Sequence, residues 1–354
     1  MQVGVFKIPQ NSPDDLTGLD TLVQSGALDP AKIAAILGKT EGNGCVNDFT
    51  RGFAVQTLQA YLSSHVSPAF AAEVIYVMSG GTEGVLSPHL TVFTRQDSSP
   101  DQAPHWGLVL GTYRTRNFRP DEIGTLAMVQ TVADGVKAAI AQAGLAAEQV
   151  HFVQIKCPLV TASRRVGLKD SATAATQDSY KSMALSRGAS ALGVAVALGE
   201  LSLHQLTEQD ICHNDALYST VASTSAGVEL QNCEILVLGN APSSTSAFVI
   251  GHSVMQHMLD TDAVTAAIAS TGQPRDALVN LFAKAEADPS GMVLGCRHTM
   301  LDDSDISHTR MARSVVGAVI ASVVHDPMIY VSGGSEHQGP SGGGPIAAIA
   351  RLPQ

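Results

Sequence analysis

The chain has 354 residues, enough for two or three domains' worth of core. Hydrophobic residues make up 45% and charged residues 15%, the balance of a well-buried globular α/β protein and not of a disordered or fibrous one. The formal net charge of −11 argues against a general nucleic-acid binder, which needs a basic face, but leaves room for a local cationic pocket.

The opening MQVGVFKIPQ carries no apolar stretch followed by a small-residue cleavage site, so no signal peptide is expected. No run of about 18 uncharged apolar residues predicts a membrane span. Cys45, Cys157, Cys212, Cys233 and Cys296 are scattered with no C-x-x-C pair, which fits reduced thiols in a cytoplasm.

The first third of the chain places Lys39 in ILGKTEGNG, then Arg51 ahead of the helix-like run GFAVQTLQAYL. A β-branched, aromatic stretch at 74–78 reads as a buried strand and leads into Ser79-Gly80-Gly81-Thr82-Glu83. The polar stretch 96–104 then marks a boundary. In the second third, a strand-like 151–155 leads to Lys156, Arg187 opens GASALGVAVALGEL, and Ser225-Ala226-Gly227-Val228-Glu229 follows. Residues 188–198 are Ala/Gly-rich and read as a buried helix. After a strand-like 247–250 the last third gives Lys284 in LFAKAEA, Arg313 ahead of SVVGAVIASVV, and Ser332-Gly333-Gly334-Ser335-Glu336 after an apolar 328–331.

The pattern Ser-[Gly/Ala]-Gly-x-Glu thus occurs three times, each time preceded by an arginine and, earlier, by a lysine. Any one such triplet reads first as ordinary structure, because Ser-Gly-Gly is a common loop and surface Arg and Lys are common. Recurrence in the same order three times points to diverged repeat units, with boundaries at 1–103, 104–250 and 251–354. Thr50 and Ser186 are expected to cap the first two helices, which puts each arginine in a first helical turn. A cation there opposes the helix dipole, an arrangement that makes sense if the guanidinium and the helix N-terminus both face a bound anion or polarised carbonyl.

A serine after a strand, followed by glycines, leaves a hydroxyl and bare backbone N–H groups open to a ligand. The hydroxyl is a poor nucleophile until a base takes its proton. No Gly-x-Ser-x-Gly elbow points to a Ser-His-Asp triad. Lysine can serve if burial and cationic neighbours lower its pKa, and Lys156 has the most apolar neighbours of the three. A Ser–Lys dyad for acyl transfer follows, with Ser225 in the repeat register and Ser223, two residues earlier, as the alternative. Three like sets of serine and arginine would suit a flat cyclic triimide with three like carbonyls.

Other chemistries fit less well. Twelve histidines include no His-Glu-x-x-His and no His-x-His, so a catalytic zinc is not expected. Asp302, Asp303 and Asp305 resemble the start of a calcium loop but lack the glycine and distal glutamate of an EF-hand, and a solvated loop or contact between subunits is the better reading. The glycines at 38–44 lack the G-x-x-x-x-G-K-[ST] of a phosphate loop.

The segments GKTEGNGCVND, VMSGGTEGVLSPH, VQIKCPL, SRGASALG, FAKAEA, RHTMLDDSDI and YVSGGSEHQGPSGGGP resemble the cyanuric acid hydrolase/barbiturase family of ring-opening amidohydrolases, nearly end to end. The resemblance implies an α/β fold of three structurally similar repeat units around a pseudo-threefold axis (a Toblerone-like fold), with the substrate ring on that axis. It implies three Ser–Lys pairs, with Ser225 the nucleophile and Lys156 its base. Arg51, Arg187 and Arg313 would contact ring carbonyls together with Ser79-Gly80, Ser225-Ala226 and Ser332-Gly333, while Lys39 and Lys284 would orient the outer serines. The family's structural metal maps onto Glu286 and backbone oxygens of Ser335, Gln338, Gly339, Pro340 and Gly343, an oxygen-only set suited to Mg²⁺ or Ca²⁺. The family also implies a homotetramer.

The expected reaction is hydrolysis of one amide bond of cyanuric acid, giving carboxybiuret, then biuret and CO₂. Ring opening of barbituric acid is the alternative, since the Ser/Arg set does not distinguish a ring nitrogen from a ring carbon. A non-catalytic small-anion scaffold is the other: it would tolerate Lys156→Ala with weaker binding, whereas an enzyme would lose turnover.

Overall fold

The computed structural model describes residues 1–166, 174–301 and 305–353. Asp302 and Asp303 of the calcium-loop comparison lie outside the described residues.

The chain lays down the same sheet three times. The first holds β1 (Gln2–Pro9), β2 (Ile33–Thr40), β3 (Ile75–Gly80) and β4 (His89–Gln96), in the order β1-β4-β2-β3. The second holds β5 (His105–Arg114), β6 (Val150–Pro158), β7 (Ala222–Gly227) and β8 (Glu234–Ser244), in the order β5-β8-β6-β7. In the third, β9 (Phe248–Met255), β10 (Leu278–Ala285), β13 (Tyr330–Gly333) and β14 (Gly344–Arg351) are ordered β9-β14-β10-β13. A small hairpin, β11 (Met292–Val293) with β12 (Cys296–Arg297), stands apart. The first strand of the third sheet starts at Phe248, shortly ahead of the expected boundary at 250.

In each sheet one pair is parallel: β2 with β3, β6 with β7, β10 with β13. A parallel pair needs a crossover, usually helical. The crossovers contain α2 (Phe49–Ser63) with the short α3 (Pro68–Glu73), α6 (Ser179–Leu198) after the short α5 (Ala162–Arg165), and α8 (His308–Val324). The helices α1 (Thr17–Gln24), α4 (Leu126–Ala143) and α7 (Thr261–Ala269) follow the first strand of each sheet.

Two of the expected helix starts are corrected. Asp48, not Thr50, caps α2, its carboxylate accepting from the Thr50 amide. Ser186 lies inside α6, which starts at Ser179 under an Asp178 cap, and its hydroxyl bonds the Pro158 carbonyl. The polar opening SYKSMALS hid two turns of that helix. Arg51 is therefore in a first turn, but Arg313 and Arg187 stand further along their helices.

Strand alternation sorts each sheet into two faces. Outer faces pack on their own helices: Ile36, Tyr76 and Met78 with Ala54, Leu58 and Leu62; Val153 and Ile155 with Val129, Val132 and Leu192; Leu281, Ala283 and Val331 with Val264, Val316 and Ile320. Inner faces meet in one central core that draws Leu37 and Val77, Phe152 and Leu236, and Phe282 and Tyr330 from the three sheets. Phe282 stacks within 5.2 Å of Phe152 and 5.7 Å of Tyr330 between ring centroids.

Candidate active site

Period-2 alternation carries the inner face to the strand ends. Lys39 is two residues after Leu37, Lys156 four after Phe152 and Lys284 two after Phe282, so all three lysines continue the central core. The serines continue it too, from Val77 to Ser79 and from Tyr330 to Ser332. Parallel register sets Lys39 opposite Ser79, Lys156 opposite Ser225 and Lys284 opposite Ser332.

One polar cavity lies at this end of the core. Arg51, Ser79, Gly80, Lys156, Arg187, Ser225, Ala226, Arg313, Ser332 and Gly333 line it, and Gly44 and Met183 join them. Lys39 and Lys284 do not reach the cavity; they stand behind it, fully buried. Lys39 Nζ donates to Ser79 Oγ and to the Gly80 carbonyl, both at 3.3 Å. Lys284 Nζ donates to Ser332 Oγ and the Gly333 carbonyl, both at 3.1 Å, and to the Thr224 carbonyl at 2.8 Å.

The middle pair is built differently. Lys156 Nζ donates to the Met78 carbonyl at 2.8 Å and lies 3.2 Å from Glu229 Oε1. The Ser225 hydroxyl is buried and has no hydrogen-bond partner. Ser223, the alternative, is outside the cavity and donates to Gln154 Oε1 at 2.8 Å.

Burial drives all three amines below the ordinary lysine range, because the charged form loses its hydration. For Lys39 and Lys284 the fall is deep, deepened by Arg313 and Arg187 respectively. For Lys156 Glu229 opposes the fall and Arg51 adds to it.

The motif glutamates are the functional residues that sequence reasoning left without a role. Each meets the arginine of another unit: Glu83 meets Arg313, Glu229 meets Arg51, and Glu336 meets Arg187. Their signal was present as the fixed fifth position of the repeated pattern. The third-position glycines allow the approach. At Gly81 (φ +104°) a Cβ would stand 2.6 Å from Arg313 Nη2, and at Gly334 (φ +79°) 2.4 Å from Arg187 Nε. Met183 carried no sequence signal, and Gly44 entered only among the glycines at 38–44.

Of the expected metal ligands, Glu286, Ser335 and Gly339 border a second cavity, while Gln338, Pro340 and Gly343 belong to the same loop without bordering it. Glu286 accepts from Thr309 Oγ1 at 3.0 Å and from the Ala287 amide at 2.9 Å, and its Oε1 lies 2.9 Å from His308 Nδ1. No cluster of three or more His, Cys, Asp or Glu side chains suited to a metal occurs among the described residues. An oxygen-only set of one carboxylate and backbone carbonyls is compatible with that.

The arrangement can hold a small planar ring bearing carbonyl oxygens, present three guanidinium groups to it, and offer one unengaged serine hydroxyl with a lysine behind. Among the described residues no helix is long and apolar enough to cross a membrane, and all five cysteines are free.

Comparison with known proteins agrees over the whole length. The family model described as amidohydrolase ring-opening protein (Amido_AtzD_TrzD) matches residues 4–351. Cyanuric acid amidohydrolase from Enterobacter cloacae is 49% identical, over 99% of this chain and 100% of the relative. The enzyme of the same name from Bradyrhizobium diazoefficiens is 52% identical, over 99% of this chain and 98% of the relative. A solved cyanuric acid hydrolase superposes with a TM-score of 0.95 at 47% identity, covering 99% of both chains. The crystal structure of the A. caulinodans hydrolase gives 0.93 at 48% identity, over 100% of this chain and 99% of that one.

Proposed function

The chain belongs to the ring-opening amidohydrolases, which cleave carbon–nitrogen bonds of cyclic amides, and on that premise we propose that it hydrolyses cyanuric acid with Ser225 as nucleophile and Lys156 as base. The observation that carries the assignment is the Ser225 hydroxyl, which lines the polar cavity and has no hydrogen-bond partner, whereas those of Ser79 and Ser332 are held by their lysines.

In this reading Lys156, neutral at rest, takes the Ser225 proton as Oγ bonds to a ring carbonyl carbon. Arg51, Arg187 and Arg313, with the backbone N–H groups after the serines, stabilise the charge that builds on oxygen. The ring C–N bond then breaks and Lys156 returns the proton to the leaving nitrogen. Water hydrolyses the acyl-enzyme to carboxybiuret, which loses CO₂ to give biuret. Ser79-Gly80 and Ser332-Gly333 hold the two carbonyls that do not react, and Lys39 and Lys284 fix those serines.

A structural divalent cation, Mg²⁺ or Ca²⁺, is part of the proposal. Glu286 with backbone oxygens of Ser335 and Gly339, and of Gln338, Pro340 and Gly343 in the same loop, would hold it. A hard cation there would pin the loop that carries Glu336. A cytoplasmic homotetramer of three-unit chains divided near 103 and 250 completes the reading. Exposed Phe49, Phe53 and Trp106 supply apolar surface for contacts between copies.

Turnover of cyanuric and barbituric acids by the purified protein tests the substrate. Ring opening of cyanuric acid is expected; a preference for barbituric acid would move the substrate and keep the chemistry.

A further inference from the structure

At two of the three junctions between repeats, arginine and motif glutamate form a two-pronged pair. Arg187 Nε and Nη2 donate to Glu336 at 2.8 and 2.6 Å. Arg313 Nε donates to one Glu83 oxygen at 2.8 Å, and its Nη2 donates to the other. The third junction is open: Arg51 Nε lies 3.6 Å from Glu229 Oε1 and donates no hydrogen bond, while that oxygen faces the Lys156 amine at 3.2 Å.

The Arg51 guanidinium is shared between the two carboxylates, standing no nearer to Asp48 than to Glu229, and is anchored by a backbone carbonyl. Its Nη2 donates to the Cys45 carbonyl at 3.0 Å, and its Nη1 lies 3.7 Å from Asp48 Oδ2. Asp48 is buried and rigidly held, accepting from the Gly44 and Thr50 amides at 2.8 and 3.0 Å. Three residues before the arginine, the other units have Ala184 and Arg310. A carboxylate stands at this position in the first unit alone.

We propose that Asp48 is a positioning residue: by sharing the Arg51 guanidinium with Glu229 it leaves that carboxylate on Lys156, and so makes the middle of three like Ser–Lys pairs the reactive one. The inference rests on the Ser225–Lys156 reading above. Glu229 steadies the ammonium that forms when Lys156 takes the Ser225 proton, until that proton passes to the ring nitrogen. At the outer junctions the glutamate is locked on arginine, and the amine holds its serine instead.

The charged and titratable groups involved are few. Glu229, Arg51 and the Cys157 thiol act on Lys156. Glu229 is also felt by Arg164 and Glu234, Arg51 acts on Asp48, and Asp48 is felt by Lys39. Asp48→Asn keeps a side chain able to cap α2 but removes the charge. Arg51 can then close on Glu229, withdraw its support from Lys156 and make the amine easier to deprotonate.

The test is the pH dependence of kcat/KM for cyanuric acid in wild type, Asp48→Asn, Glu229→Gln and the double variant. Each single variant is expected to move the acid limb about one unit to lower pH, and the double variant no further than Glu229→Gln. An unmoved limb in folded Asp48→Asn overturns the inference, as does an additive shift in the double variant, which would mean that Asp48 acts by its own charge. Should Asp48→Asn not fold, an unmoved limb in Glu229→Gln overturns it equally. Failure of the underlying reading is distinct: it is no turnover by wild type, or full turnover by Lys156→Ala, and it removes the inference as well.

Discussion

Lys156 stands opposite Ser225 across the parallel β6–β7 pair, yet its amine lies on Glu229 at 3.2 Å and leaves the serine hydroxyl unengaged. The two outer lysines, in the same register, hold their serines directly. Three copies of one sheet thus end in two clamped serines and one loose one. A clamped hydroxyl that accepts a lysine's hydrogen bond is suited to holding a carbonyl in place, whereas a loose one can turn to attack.

The pH profile follows from the lysine. Burial lowers the Lys156 pKa from its ordinary 10.5, with Glu229 opposing and Arg51 assisting. The base must be neutral, so kcat/KM should rise with pH through the depressed pKa and level off above it. The acid limb is expected below the ordinary lysine value. A limb at that value would mean that Lys156 is not the base.

Glu83 should link the junction to stability. Burial pushes its carboxyl up, but the Arg313 hydrogen bond and charge, with Lys39, outweigh that and hold it below 4.5. A depressed carboxylate stabilises the fold fully above its unfolded pKa, and the contribution fades as pH falls through the folded one. Glu83→Gln strands the buried Arg313 guanidinium, and a loss of about 3 kcal/mol in urea unfolding at neutral pH is expected. The difference between variant and wild type should shrink in acid; a constant difference would contradict the pairing.

Two glycines with similar backbone separate strain from crowding. Gly26 has φ +72° and open space where a Cβ would go, whereas a Cβ at Gly334 would lie 2.4 Å from Arg187 Nε. Gly26→Ala should cost about 1 kcal/mol and leave catalysis intact. Gly334→Ala should also displace Arg187 and raise KM roughly tenfold, a binding loss of about 1.4 kcal/mol. Equal KM values would show that Arg187 does not depend on this approach.

His151 and His252, from the second and third sheets, place their Nδ1 atoms 2.8 Å apart. Burial and the neighbouring ring bring His151 down to about 4, and burial lowers His252. Both are neutral in the fold at pH 7, and the unfolded chain binds protons first as pH falls. Stability should be full above about 6.5 and decline as pH falls towards 4. His252→Gln should flatten that decline in thermal unfolding, and an unchanged slope would remove the pair as its source.

Much of the site was legible because residue identity itself repeats: Lys39, Arg51 and Ser79 recur in order twice more, and the three arginines and three serines line one cavity with Lys156. Helix starts were less legible, since the polar opening of α6 masked the Asp178 cap and two turns before Arg187. The junctions were legible only as a recurring fifth-position glutamate, not as a pairing with the arginine of another unit. Glu229 finds Arg51 only once three sheets close around one core, and from the sequence Thr50, not Asp48, reads as the cap of α2. The asymmetry among the repeats lies partly in residues outside the repeated pattern, such as Asp48 where the other units have Ala184 and Arg310.

The most direct test of the account is kcat for cyanuric acid in Ser79→Ala, Ser225→Ala and Ser332→Ala, measured side by side on folded protein. Loss of the nucleophile should lower kcat at least about a thousandfold in Ser225→Ala, while the outer variants keep measurable kcat and act more on KM. Substantial turnover by Ser225→Ala, with either outer variant inactive, would place the reacting serine in another unit and contradict the account.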